Sequence, residues 1–356
     1  MITWLIVVVT FGLVIFIHEL GHFLVARKLG VKVEKFSLGF GPEIFGWTRG
    51  HTRYSLAAFP LGGFVKMAGE DMDDLKGEPG EFFSQAWHKR ILIVLAGPVM
   101  NCLLAIFLFS AVLYFWGSSK PNPEPIIGQV IKGDLAEKAG FQAGDRISFI
   151  NNQKISLWSE LADVIHQSAG KQLTVKVIRQ EKELTLLVIP KINDQLKVGV
   201  IGIAPSVSRE RIGLIKSLIG GVQQFIFWIL LFIKTIGLMI FKVIKPELAG
   251  PIGISTIIAR AAESGLPDLL YLVALINANI GLLNLLPVPV LDGGHIMFFA
   301  FEGISRKPVN KKMMRLANMV GLSLLLMLLV FATYSDILRW RKGFWKAPAE
   351  TVEKQK

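Results

Sequence analysis

Two histidines and a glutamate stand inside an apolar run long enough to cross a bilayer. Residues 2 to 17 carry no charge; Ile17-His18-Glu19-Leu20-Gly21-His22 follows, and the run closes at Arg27-Lys28. Ionisable side chains are costly in hydrocarbon, so such a cluster marks function by default. Residues four apart share a helix face, which lets His18 and His22 present imidazole nitrogens to one ion. Glu19 follows His18 directly, where it can reach a water on that ion. His-Glu-x-x-His on a helix is the pattern of two zinc ligands and a general base. A chance match, with both histidines packed as ordinary polar residues, is the competing reading; a lipid-length helix makes it the weaker one.

A catalytic zinc takes three protein ligands and leaves one position open. Asp292 is the candidate third ligand. It lies in Asn284-Leu285-Leu286-Pro287-Val288-Pro289-Val290-Leu291-Asp292-Gly293-Gly294, between two apolar runs. The prolines and glycines break the helix where a side chain can be aimed at a partner. The same segment alone also reads as a proline-rich turn with Asp292 capping the next helix.

These two motifs, with a PDZ-like region between them, resemble the site-2 protease family of intramembrane zinc metalloproteases, in its bacterial RseP-like branch. The resemblance covers nearly the whole chain. It implies a polytopic α-helical membrane protein: a core of about four transmembrane helices, a membrane-associated β-hairpin and one inserted α+β PDZ domain. It implies Zn²⁺ held by His18, His22 and Asp292, with Glu19 as the catalytic residue. Asn284 and the hairpin around Gly62 and Gly63 would hold an unwound substrate strand. The substrates implied are single-pass membrane proteins already trimmed by another protease, such as anti-sigma factors, and remnant signal peptides. The location implied is the bacterial inner membrane, multi-pass, with the PDZ domain on the extracytoplasmic side.

Composition agrees with a membrane protein carrying one polar insert. Of 356 residues, 52% are hydrophobic and the mean hydropathy is +0.51, too apolar for a soluble globular chain. The net charge of +12 reads as positive-inside loops and lipid-headgroup contact rather than nucleic-acid binding. The lone Cys102 excludes a disulfide framework and a cysteine-built metal site within one chain. The N-terminal run lacks a basic start and an evident cleavage site, so it is expected to be kept as helix 1.

In chain order, the N-terminal membrane core is expected over 1–117. Helix 1 covers 2–28, with Arg27, Lys28, Lys32 and Lys35 placing its end in the cytoplasm. Residues 36–70 read as two short strands around Pro60 and Gly62-Gly63, either a surface loop or, by the resemblance, a hairpin dipping toward the zinc. A free edge there could pair with an extended substrate. The acidic run from Glu70 to Glu81 reads as a solvated segment; Asp73 and Asp74 have no supporting ligand spacing. Helix 2 covers 91–117; small residues in Ala96-Gly97-Pro98-Val99-Met100-Asn101 would allow close helix contact, with Asn101 as polar glue between helices. A stiff linker over 118–125 precedes a PDZ domain at 122–205, whose Ala139-Gly140-x-x-x-Gly144-Asp145-Arg146-Ile147 turn carries that likeness. Better-known RseP proteins carry two such domains.

A membrane-associated amphipathic and apolar helix region is expected over 209–266, within which Gly250-Pro251-Ile252-Gly253-Ile254 is expected to turn the chain, as the resemblance also implies. Hydropathy alone makes 222–243 a spanning segment. Parity opposes that, because Asp292 must return to the cytoplasmic half, and the resemblance places the segment on or in the outer leaflet. The C-terminal membrane core is expected over 267–340 and a tail over 341–356. Helix 3 covers 268–286, with Asn279 and Asn284 near its inner end, and helix 4 covers 316–334. His295 is left out of the ligand set because a fourth protein ligand would close the site. Basic residues in the tail conflict with an outside C-terminus. Two rival functions fit less of the sequence: a PDZ-bearing membrane scaffold with a structural metal, and a transporter, which should show internal repeats.

Overall fold

The computed structural model describes residues 2–73, 75–131, 133–193, 198–241 and 249–341. The expectations at Asp74, at 242–243 and over 342–356 lie outside them. The chain divides into two compact units, one built from the stretches up to Phe115 and from Gly213 onward, the other from Trp116–Ile212.

The first unit opens with α1 (Ile2–Lys28), which ends on Arg27 and Lys28, cations suited to a helix C-terminus. Strands β1 (Val33–Arg49) and β2 (Thr52–Met67) follow. Each is longer than the expected runs and bends midway into two arms. In β1 the bend falls at Gly39 and Gly41, whose φ values of 92° and 91° suit glycine. Arms 43–49 and 52–57 form a hairpin through pairs such as Trp47↔Tyr54, and Leu38↔Gly63 and Phe36↔Val65 join arms 33–38 and 63–67. Arm 33–38 also pairs with the hairpin, from Lys35↔Arg53 to Leu38↔Leu56. Arm 63–67 therefore lies at one edge. The Gly-Pro punctuation that made the sequence read as short strands is where the long strands turn.

Helix α2 (Trp87–Trp116) begins four residues before the expected start and carries Pro98 inside it. Before it, Glu81 gathers the backbone N–H groups of Lys76, Gly77 and Glu78 at 2.8–3.2 Å, which orders the acidic segment as a loop folded around one carboxylate.

The second unit starts with β3 (Ser118–Pro121), β4 (Ile127–Val130) and α3 (Leu135–Lys138). Next come β5 (Arg146–Ile150), β6 (Gln153–Lys154) and α4 (Trp158–Gln167). It continues with β7 (Leu173–Arg179), β8 (Lys182–Val188), β9 (Lys191–Ile192), β10 (Gly199–Val200), β11 (Ile203–Pro205) and β12 (Val207–Glu210). The main sheet has the order β6-β5-β7-β8. Alternation along β7 buries Leu173, Val175 and Val177 in a core with Ile147, Ile150, Leu161 and Ile165, as a half-buried strand should. Asp145 is fully buried and bound by Arg179 at 2.7 and 2.8 Å. The expected linker is partly a strand: β3 pairs with β12.

The first unit resumes with α5 (Leu214–Ile240), α6 (Pro251–Ser264), α7 (Leu266–Asn284), α8 (Asp292–Ser305) and α9 (Lys311–Arg341). Residues 250–254, expected to turn the chain, hold the N-cap Gly250 and the first turn of α6. Helix α9 extends beyond the expected 316–334 at both ends. Among the described residues, five helices are long and apolar enough to cross a membrane: α1, α2, α5, α7 and α9. Two cores form within this unit. One joins α1 to the strand arms, the start of α2 and Phe299 of α8. The other joins Val14 of α1 to Phe109 of α2 and Ala274 of α7. Helix α5 is fastened to α7 by Trp228 Nε1 donating to the Tyr271 hydroxyl at 2.7 Å, which in turn donates to Gln224 Oε1 at 3.0 Å.

Candidate metal centre

His18 and His22 point from adjacent turns of α1 toward α2 and the start of α8. Their Nε2 atoms are 3.1 Å apart. Asp292 Oδ2 is 3.1 Å from His18 Nε2, and Oδ1 is 3.7 Å from His22 Nε2. One ligand atom from each of the three lies within 4.8 Å of the others. Asp292 is not the cap of its helix: the N-cap is Leu291, without a side-chain cap bond. The loop before it includes Val290 at φ 82°, a left-handed conformation in which a β-branched residue is strained.

The second helix sets the imidazoles. His22 Nδ1 donates to the Ile93 carbonyl at 2.9 Å, so its Nε2 keeps the lone pair a metal needs. The fully buried Asn101 amide lies 3.3 Å from His18 Nδ1, and Asn101 Oδ1 has no partner among the described residues. Amide orientation is assigned from the network; turned over, Oδ1 accepts the Nδ1 proton and frees His18 Nε2. Gly97 makes room: a Cβ there would collide with His22 Nε2 and stand 2.8 Å from His18 Cε1.

This donor set fits zinc. Among the described residues no hydrogen-bond donor reaches the buried Asp292 Oδ2, and two imidazole lone pairs face this carboxylate and each other. Acceptors so arranged repel unless a cation lies between them. Ligands about 2.0–2.1 Å from a tetrahedral zinc stand roughly 3.3 Å apart, close to the spacings seen.

Around these residues lies a cavity of about 530 Å³, lined among others by Glu19, Phe64, Val65, Met67, Asn284 and Asn318. Glu19 faces the Val65 backbone. Of the two hairpin glycines, Gly63 is beside Glu19, with its Cβ position 3.7 Å from Glu19 Cγ, whereas Gly62 packs against the Phe40 ring. Asn284 reaches the cavity. Asn279 and Asp73 do not line it, while His295 does. Glu70 sits at its rim and also lines two neighbouring cavities; crowding by protein raises its carboxyl above the ordinary range.

Sequence reasoning took Asn101 as helix glue and the small residues at Gly97 as room for a close helix contact, without tying either to the histidines. Their spacing of four, which puts both on one face of α2, was the available signal that this face meets the histidines.

The chain is similar to several known proteins. A protein of Mesorhizobium japonicum, an inferred zinc metalloprotease by its name, is 34% identical over 354 residues, 91% of this chain and 95% of that protein. The zinc metalloprotease RasP of Geobacillus kaustophilus is 27% identical over 413 residues, 94% of this chain and 97% of its own. A crystal structure of the PDZ domain of an SdrC-like protein from Listeria monocytogenes matches 24% of this chain and 90% of that domain, with 20% identity and a TM-score of 0.22. The family model for peptidase family M50 matches residues 6–328. A match of that extent settles descent: the chain belongs to peptidase family M50 and is a multi-pass membrane zinc metalloprotease of the site-2 protease type.

Proposed function

We propose that His18, His22 and Asp292 hold the zinc and that Glu19 is the catalytic base of an intramembrane endopeptidase. The observation that carries this is the convergence of three ligand atoms within 4.8 Å, with Glu19 in the same cavity. When bound, zinc supplies Lewis acidity that polarises the scissile carbonyl and lowers the pKa of the attacking water toward about 7. Glu19 takes the water's proton and delivers it to the leaving amide nitrogen. Asn101 and the Ile93 carbonyl orient the imidazoles. A helical substrate hides its carbonyls in its own hydrogen bonds, so it must unwind before attack. Arm 63–67 of β2 offers an edge beside Glu19 on which an extended strand can add, and Asn284, which lines the same cavity, can hold that strand's backbone. Gly63 belongs to this surface; Gly62 serves it indirectly, by letting Phe40 pack behind the arm.

The substrates proposed are single-pass membrane proteins trimmed beforehand by another protease, of the anti-sigma-factor or remnant-signal-peptide kind. The second unit is proposed to be a PDZ module on the extracytoplasmic side of a bacterial inner membrane. Helix α5 is proposed to lie in the outer leaflet, which keeps Asp292 in the cytoplasmic half. The domain limits follow: 1–117 and 267–340 as membrane core, 122–205 as PDZ module, and 209–266 as the membrane-associated region.

The test is incubation of the purified full chain with a truncated single-pass substrate. Cleavage should stop with a zinc chelator and return with added zinc. The Glu19→Gln variant should keep its zinc and lose cleavage. Cleavage by that variant at the wild-type rate would favour the alternative, a scaffold whose metal is structural.

A further inference from the structure

Asp292 opens α8, and the far end of the same helix is held by an ion pair between a buried arginine and a half-buried glutamate. Glu302 lies ten residues on, roughly 15 Å along the axis. There its carboxylate meets the Arg90 guanidinium. Arg90 is only 4% exposed, and its guanidinium carbon lies 4.6 Å from the Phe299 ring centre and 5.5 Å from that of Phe83. Arg90 sits in the first turn of α2, three residues before Ile93, whose carbonyl receives the His22 proton. One partner of the pair thus belongs to the helix that orients two ligands, and the other to the helix that carries the third.

A buried ion pair seldom stabilises more than apolar residues of equal size. What this guanidinium supplies is position: its Nη2 donates to Glu302 Oε1, and the Phe83 and Phe299 rings beside it fix where that donor sits. The opposite end of α8 needs such a fix. Val290 is strained at φ 82° and Leu291 provides no side-chain cap. Strain of this kind persists only where the surroundings enforce it.

From this arrangement we infer that Arg90 and Glu302 form a positioning clamp, which sets α8 along α2 and so keeps Asp292 against the two histidines. This rests on the ligand set proposed above. Without the clamp, α8 relaxes at Val290 and Asp292 withdraws, while His18 and His22 keep their supports on α2.

The test measures zinc affinity of the detergent-purified full chain by competition with a chelator, and the visible absorption of the cobalt-substituted protein. Arg90→Met and Glu302→Gln should each weaken zinc binding about 10- to 100-fold, as loss of an orienting partner does in other zinc sites. The cobalt spectrum should change as a ligand is lost, and Arg90→Lys should fall between. The doubly apolar Arg90→Met, Glu302→Leu variant should recover thermal stability but not zinc affinity, an outcome a merely structural pair would not give. If Arg90→Met fails to fold, the milder Glu302→Gln decides. Zinc affinity within about twofold of wild type in folded Glu302→Gln would overturn the clamp. His18→Ala serves as the separate control: wild-type zinc affinity there would refute the ligand set itself, whatever the clamp variants do.

Discussion

Gly97 on α2 and His22 on α1 approach so closely that a methyl group on the glycine would stand 2.5 Å from the imidazole Cε1. The same methyl would meet His18. Gly97→Ala should therefore push both imidazoles out of line. Zinc content after purification should fall to a small fraction of wild type, and cleavage should drop at least about 100-fold, as misplaced ligands imply. Metal analysis and a cleavage assay on one preparation check this.

Asn101 should matter through His18 rather than through substrate. It is fully buried and its amide lies 3.3 Å from His18 Nδ1. Asn101→Leu, close to it in volume, should weaken zinc binding by about 10-fold or more. The Michaelis constant of the remaining zinc-loaded enzyme should stay near wild type. Chelator competition and steady-state kinetics separate the two effects.

The proposed metal ligands were legible as candidates in the sequence because their chemistry is dense and their background is not. His18, Glu19 and His22 interrupt a run with no other charge, and Asp292 interrupts a second. The supports were not legible. Ile93 acts through a carbonyl, which no side-chain pattern reveals. Gly97 acts by lacking a side chain. Arg90 and Glu302 are far apart in sequence, and each alone looks like an ordinary charge at a helix end. The fold followed the same division. Apolar length located α1, α2 and α7 to within a few residues. Helix α6 was hidden because Gly250-Pro251 reads as a turn, yet here a proline in the first helical turn suits a helix start.

That start has an unusual cap. Gly250 offers no side chain, and Asp336 of α9 accepts from the Gly250 and Gly253 N–H groups at 3.1 and 2.8 Å. Asp336 is fully buried. Asp336→Ala leaves two buried donors unpaired and should destabilise the unit by about 2 kcal/mol. Asp336→Asn, which keeps one acceptor, should cost about half as much. Thermal unfolding in detergent measures both.

In the second unit, Asp134 gives a pH signature. Partial burial alone would raise its carboxyl, but the hydrogen bond from Lys191 and the Leu135 N–H outweigh this and hold it below its usual value. A carboxyl depressed by folding stabilises the folded form above the unfolded pKa of about 3.9. That contribution disappears as pH falls through the lower folded value. The protection factors of the α3 amides in the full chain, with the intrinsic pH dependence of exchange divided out, should therefore hold steady down to about pH 4 and fall below it. In Lys191→Gln the fall should be smaller, because the folded carboxyl then titrates closer to its unfolded value.

X-ray absorption at the zinc edge of the purified full chain, recorded for the wild type and for Asp292→Ala, bears most directly on the centre. The wild-type spectrum should report two imidazole nitrogens and carboxylate oxygen at about 2.0–2.2 Å, with an altered oxygen shell in the variant. A sulfur ligand, or a spectrum untouched by Asp292→Ala, would contradict the centre described for His18, His22 and Asp292.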